Sequence, residues 1–165
     1  MNDEKIALPE EQGAFYLFDP ARARERILFL RRHLPPDTAL CYAVKANPFL
    51  CSGLAGYVER FEACSPGELR ICGTAGIPAE QTVISGVYKT PAVIESAVKE
   101  SGEQLYTVES PSQFSLLKSL SERHQKPLRI LLRLSNESQF GIDRETLFSL
   151  IENRERSPQL RFVGI

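Results

Sequence analysis

The sequence predicts an α/β fold in which a parallel sheet is covered by helices. Three observations predict it. Short apolar runs begin near residues 39, 61, 82, 104, 128 and 160, each step but the last spanning about twenty-odd residues. Helix-like patterns open on Asp19-Pro20 before the first run and on Ser65-Pro66, Thr90-Pro91 and Ser110-Pro111 in three of the gaps between runs. The runs themselves are apolar along most of their length, as strands buried under helices on a parallel sheet must be. An open doubly wound sheet and a (β/α)8 barrel both satisfy this pattern. No Gly-x-Gly-x-x-Gly follows the first strand, so a dinucleotide-binding sheet lacks its best sign.

Taken in order, residues 1–12 are polar and read as a loose tail, and Gly13–Phe18 as a short apolar strand. Asp19 is placed to cap a helix with Pro20 at its first position, where the missing N–H costs nothing. Ile27, Leu28, Leu30 and Leu34 give that helix an apolar stripe, and Pro35-Pro36 ends it. Its arginines (Arg22, Arg24, Arg26) form a short interrupted run, expected on a solvated face. Ala39–Val44 is the next strand, with Lys45 at its C-terminal end and Asn47-Pro48 as its exit. Phe61–Cys64 is a strand, and Ser65-Pro66-Gly67-Glu68 opens a helix as a capping box. The Ser65 hydroxyl is expected to receive the Glu68 N–H, and the Glu68 carboxylate to reach back to Ser65. Gly76 stops that helix. Thr82–Ser85 is a strand, Thr90-Pro91 opens a helix to Ser101-Gly102, Gln104–Val108 is a strand, and Ser110-Pro111 opens a helix to about Arg123. Leu128–Leu134 is the clearest strand, Asp143 caps the helix after it, and Leu160–Ile165 starts another strand.

Composition narrows the function classes. The chain has 165 residues, 42% hydrophobic and 25% charged, with a net charge of −1. Nothing there calls for a nucleic acid or an anionic membrane surface. Cys41, Cys51, Cys64 and Cys72 show no Cys-x-x-Cys spacing, and His33 and His124 stand apart from them, which argues against zinc. Two of the four fall in apolar strands as small hydrophobes, and a reduced thiol set is expected. The N-terminus lacks a signal-peptide pattern, and no apolar run nears the ~20 residues that span a bilayer. These features predict a soluble cytoplasmic protein.

In parallel α/β folds the working groups sit at the C-terminal strand ends. Here those positions hold Lys45, Glu62, Ser65, Glu68, Ser85, Gly86, Lys89, Glu109, Ser110, Arg133 and Phe140-Gly141. A buried lysine is costly unless it is used, because an unpaired ammonium in apolar surroundings demands a partner or a shifted pKa, and that shift frees the amine as a nucleophile. A lysine that snorkels out of the strand end is the plain alternative for Lys45.

The run Tyr42-Ala43-Val44-Lys45-Ala46-Asn47-Pro48 resembles the cofactor-lysine motif of the ornithine/diaminopimelate/arginine decarboxylase family, whose barrel is also like that of alanine racemase. In that family the lysine holds pyridoxal 5'-phosphate (PLP) covalently. Glu62-Ala63-Cys64-Ser65-Pro66-Gly67-Glu68-Leu69 resembles the second-strand segment of the family, with Glu62 where aspartate is commoner. Arg133 in Arg129–Leu134 resembles the arginine directed at the cofactor, whereas Arg129 is expected to point outward into a salt bridge. Ser138-Gln139-Phe140-Gly141 resembles the Ser-Lys-Phe-Gly segment, and Ser85-Gly86-Val87-Tyr88-Lys89 the third-strand Gly-x-x-Lys.

The resemblance spans residues 13–165 and favours the barrel: about five βα units and the start of a sixth strand, an N-terminal portion cut before closure. It implies decarboxylation of a small amino acid with PLP as cofactor, Lys45 as the catalytic lysine, and Lys45, Glu62, Ser65, Glu68 and Arg133 as cofactor-binding residues. It also implies that the ring-stacking and phosphate-binding residues lie beyond Ile165, that the full-length form is a homodimer sharing its site, and that this portion is inactive alone. A racemase on the same barrel is an alternative, set back by Pro48-Phe49 after Asn47. A non-catalytic chain that binds PLP or a partner is another.

Overall fold

The computed structural model describes residue 14 and residues 17–165. The expected tail over residues 1–12 lies outside the described residues, as does half of the strand expected over Gly13–Phe18. Leu17 and Phe18 are in neither strand nor helix.

Six parallel strands form one sheet in the order of the chain: β1 (Cys41–Ala43), β2 (Arg60–Ala63), β3 (Thr82–Ile84), β4 (Leu105–Val108), β5 (Leu128–Leu132) and β6 (Leu160–Gly164). A doubly wound sheet would place its first strand inside, at a reversal of strand order. Among the described residues β1 pairs only with β2, and β6 only with β5. Sequential order without a reversal is barrel order, so the sheet is a sector of a (β/α)8 barrel, with six of its eight strands. Strand starts fall within two residues of those read from the apolar runs.

The helices are α1 (Pro20–His33), α2 (Cys51–Leu54), α3 (Pro66–Thr74), α4 (Pro91–Glu100), α5 (Pro111–His124) and α6 (Arg144–Glu152). Four of them start on proline, after Asp19, Ser65, Thr90 and Ser110. Asp19, Ser65 and Ser110 cap with their side chains, while Thr90 makes no side-chain cap. Asp19 accepts from the Ala21 N–H at 2.9 Å, and Asp143 from the Thr146 N–H at 2.9 Å.

Alternation along the strands divides the sheet into two faces. Phe61 and Ala63 of β2 pack with Cys72 of α3 and with Ile77. Ile84, Tyr106, Val108, Ile130 and Leu132 pack against Ile94 and Val98 of α4, Leu117 and Leu120 of α5, and Leu147 of α6. Each of these side chains is at most 5% exposed, except Ile77 at 7%. This is the core, and it lies between sheet and helices. The opposite face carries Glu62, Thr107, Arg129 and Leu131.

Four expectations are corrected. The gap after β1 holds no full helix: two short 3-10 turns, Val44–Ala46 and Pro48–Leu50, lead into the single turn of α2. Pro48 interrupts the strand exit, and the tight turns use up the residues a longer helix would need. On α1, Ala23, Ile27, Leu30 and Leu34 are half-buried, but Leu28 is 42% exposed because it falls off their i, i+4 line. The buried cysteines are Cys51 and Cys72, both on helices, while Cys41 on the edge strand is exposed. All four thiols are free. Finally, Arg129 and Arg133 are four residues apart and so share a face, which removes the expected contrast between them. Arg129 forms no ion pair among the described residues; the two differ by their position along the strand.

Candidate active site

Lys45 does not extend a buried strand. β1 ends at Ala43, and the 3-10 turn that follows lifts Lys45 onto the rim, where it is exposed. It makes no hydrogen bond or ion pair with the described residues. Its turn is built firmly underneath: Val44 is fully buried, and the Tyr42 hydroxyl donates to the Asn47 carbonyl at 2.9 Å. Burial therefore does not activate this amine. What marks it is a rigid base and a free head.

Glu62, at the end of β2, stands on the sheet face away from the helices and pairs in register with Ala43 and Val83. Ser65 and Glu68 form the capping box. The Glu68 N–H donates to Ser65 Oγ at 3.2 Å, and Ser65 Oγ to Glu68 Oε1 at 3.2 Å. The second carboxylate oxygen passes over the Ser65 N–H and takes that of Cys64, at 2.8 Å. The box thus ties α3 to the last residue of the β2 exit. Burial pushes the Cys64 thiol up, Glu62 adds to that, and Lys45 pulls the other way, so these groups lie within electrostatic reach.

The buried lysine of the rim is Lys89, which its strand-end position and its third-strand resemblance both marked. Its side chain is 1% exposed. Nζ donates to the Gly86 carbonyl, to Thr107 Oγ1 at 3.3 Å and to Gln113 Oε1 at 3.2 Å, and stands 3.9 Å from Glu109 Oε1. Desolvation lowers its pKa from the ordinary 10.5 to about 8, with Glu109 pushing back. Glu109 in turn accepts from Thr107 Oγ1 on Oε1 at 3.3 Å and from Arg133 Nη1 on Oε2 at 2.7 Å. Arg133 lies just past β5, held by its N–H to the Val108 carbonyl at 2.9 Å, with its side chain 47% exposed. The Phe140 ring backs its guanidinium at 5.0 Å.

Two glycines make this rim possible. At Gly86 (φ +86°) a Cβ would sit 3.0 Å from the Cys64 carbonyl oxygen. At Gly141 (φ +88°) it would sit 2.8 Å from backbone atoms of Leu134 and Ser135. Only glycine combines a positive φ with such close approach. Gly141 lets the Ile142 N–H donate to the Arg133 carbonyl at 2.7 Å, folding the loop that brings Phe140 to Arg133.

The rim therefore holds an exposed amine after β1, a carboxylate on β2 and a half-exposed guanidinium after β5. Residues 21–165 match the family described as pyridoxal-dependent decarboxylase, pyridoxal binding domain. The chain belongs to this family. A diaminopimelate decarboxylase of Aquifex aeolicus is 30% identical over 183 aligned residues, covering 98% of this chain and 43% of the relative. The lysine decarboxylase structure from Selenomonas ruminantium is 26% identical at a TM-score of 0.72, covering 88% of this chain and 38% of that one. The Helicobacter pylori diaminopimelate decarboxylase complexed with L-lysine shares the fold at a TM-score of 0.79 and 23% identity, over 92% of this chain and 43% of that one. The chain thus spans less than half the length of these decarboxylases. Among the described residues no helix is long and apolar enough to cross a membrane, and no cluster of three or more metal-ligating side chains occurs.

Proposed function

We propose that these residues supply the cofactor-lysine part of a PLP-dependent amino-acid decarboxylase, with diaminopimelate the first substrate to test. One observation carries the reading. Lys45 is an amine without a partner among the described residues, on a turn at the C-terminal end of a barrel strand, in a chain of the pyridoxal-dependent decarboxylase family. Because the chain spans 43% of its Aquifex relative, the activity is proposed for the whole protein.

The donor set suits such a cofactor. An aldehyde needs an amine it can reach, and Lys45 Nζ is exposed and without a hydrogen-bond or ion-pair partner among the described residues. An anionic aromatic group needs positive charge, which the Arg133 guanidinium offers. When bound, PLP supplies a protonated ring that takes up the electrons left as carbon dioxide departs. Lys45 Nζ would be the amine that holds the group covalently. Glu62, on the face away from the helices, would offer it a hydrogen-bond acceptor. Ser65 and Glu68 hold the β2 exit in place through the capping box, and Arg133 would orient polar atoms of the group.

Borohydride reduction of the native protein loaded with PLP, followed by peptide mass analysis, tests the assignment. The expected result is one modified peptide containing Lys45, with carbon dioxide released from diaminopimelate by the wild type and not by Lys45→Ala. Modification at another lysine, or full activity in Lys45→Ala, overturns it.

A further inference from the structure

Glu109 has no part in the reading above, yet it is the most completely enclosed carboxylate of the rim. Its side chain is 1% exposed, and both oxygens are engaged. A charge so placed persists only when paired and hydrogen-bonded. Lys89, equally buried, is one partner, and Thr107 donates as well. These two occupy Oε1. Oε2 is given to a residue of another kind: Arg133, whose side chain is nearly half exposed. A carboxylate that served only to neutralise Lys89 has no need to reach a solvent-facing arginine one strand away.

The backbone under Glu109 is fixed too. Its N–H donates to Gln113 Oε1 at 3.0 Å, and Gln113 Nε2 donates to the carbonyls of Gly86 at 3.3 Å and Val87 at 3.1 Å. Arg133 is thus gripped at one edge by a carboxylate that cannot shift and backed on its face by Phe140. Its other donors remain uncommitted among the described residues. Two cations share one carboxylate in this trio, so it keeps a net positive charge suited to an anionic ligand. Holding a long arginine in place beforehand spares the ligand the entropy of ordering it.

We propose that Glu109 is a positioning residue, anchored by Lys89 and Thr107, that fixes the Arg133 guanidinium for contact with the bound cofactor. This rests on the function proposed above, in which Arg133 belongs to the cofactor site.

The test is PLP affinity, read from the absorbance of the bound cofactor in the native protein, for wild type, E109D, E109Q, R133A and E109D/R133A. Thermal unfolding of each cofactor-free form is followed alongside. E109D keeps a carboxylate beside Lys89 but draws it back from Arg133 by one methylene, so it decides the matter if E109Q does not fold. E109D is expected to weaken binding about tenfold, the worth of one charge-assisted hydrogen bond. R133A should weaken it at least as much, and the double variant no more than R133A alone, because the two residues act through one contact. Unchanged binding in E109D overturns the proposal. So do losses that simply add in the double variant, or an E109D chain that fails to fold, since each gives Glu109 a structural role alone. A wild type that binds no PLP brings down the proposed function as well; normal wild-type binding with additive losses brings down only this inference.

Discussion

Lys45 and Lys89 stand two strands apart on one rim and live under opposite conditions. Lys45 leaves β1 on a tight turn, its ammonium in solvent with no partner among the described residues. Lys89 leaves β3 on a longer loop that folds back, and its ammonium is enclosed by four acceptors from three segments. The same side chain is a reactive handle in one place and a structural rivet in the other. What separates them is which neighbours the loops bring, since both follow apolar strands. Burial, often taken as the sign of a working lysine, here marks the one that is fully occupied.

The largest difference expected between them is in stability. Glu109→Gln leaves Lys89 and Arg133 without their shared carboxylate and should cost about 3–5 kcal/mol, the usual loss when a buried pair is broken. Lys45→Ala should stay within about 0.5 kcal/mol of wild type, as exposed substitutions do. Denaturant unfolding of both variants checks this, and equal losses would erase the contrast.

A smaller effect separates them by pH. The folded chain holds the Lys89 proton with a pKa of about 8 against an ordinary 10.5. Between those values the unfolded chain binds more protons than the folded one, so stability should rise with pH through this window. Below about pH 8 both states are protonated and the slope vanishes. Lys89→Met should lose that rise while Lys45→Met keeps it; unfolding midpoints measured from pH 7 to pH 10.5 decide.

The smallest effect tests whether the rim around Lys89 depends on its helix. The Gln113 N–H donates to Ser110 Oγ at 3.3 Å, capping α5. Ser110→Ala should cost about 1 kcal/mol and leave labelling of Lys45 unchanged. Loss of that labelling would mean that the two lysine environments are mechanically joined.

Much of this architecture was legible in the residues because it is locally encoded. Asp19-Pro20, Ser65-Pro66 and Ser110-Pro111 announce helices by cap chemistry within four residues, Thr90-Pro91 by its proline alone, and the apolar runs announce strands. Motif resemblance placed Lys45, Glu62 and Arg133 at strand ends, where they lie. Less legible was whatever depends on several strands meeting. Lys89 is buried because Thr107, Glu109 and Gln113 converge on it from β4 and α5, across sequence gaps of up to 24 residues. The reach of Glu68 past Ser65 to the Cys64 N–H depends on the angle at which α3 leaves the sheet. Arg129 and Arg133 are the instructive miss. Their even spacing put them on one face, and counting along the strand was enough to see it.

The amide of Gln113 spans two loops at once, accepting from Glu109 and Lys89 and donating to the carbonyls of Gly86 and Val87. It works as a spring clip set into the first turn of α5. It ties the loop after β3 to the loop after β4, and hydrogen exchange in the two is expected to rise together in Gln113→Ala. The loop that carries Phe140 is held by separate contacts at Arg133, Ser135 and Ile142. The Arg133 guanidinium, between Glu109 and the Phe140 ring, is where the two sets of contacts meet.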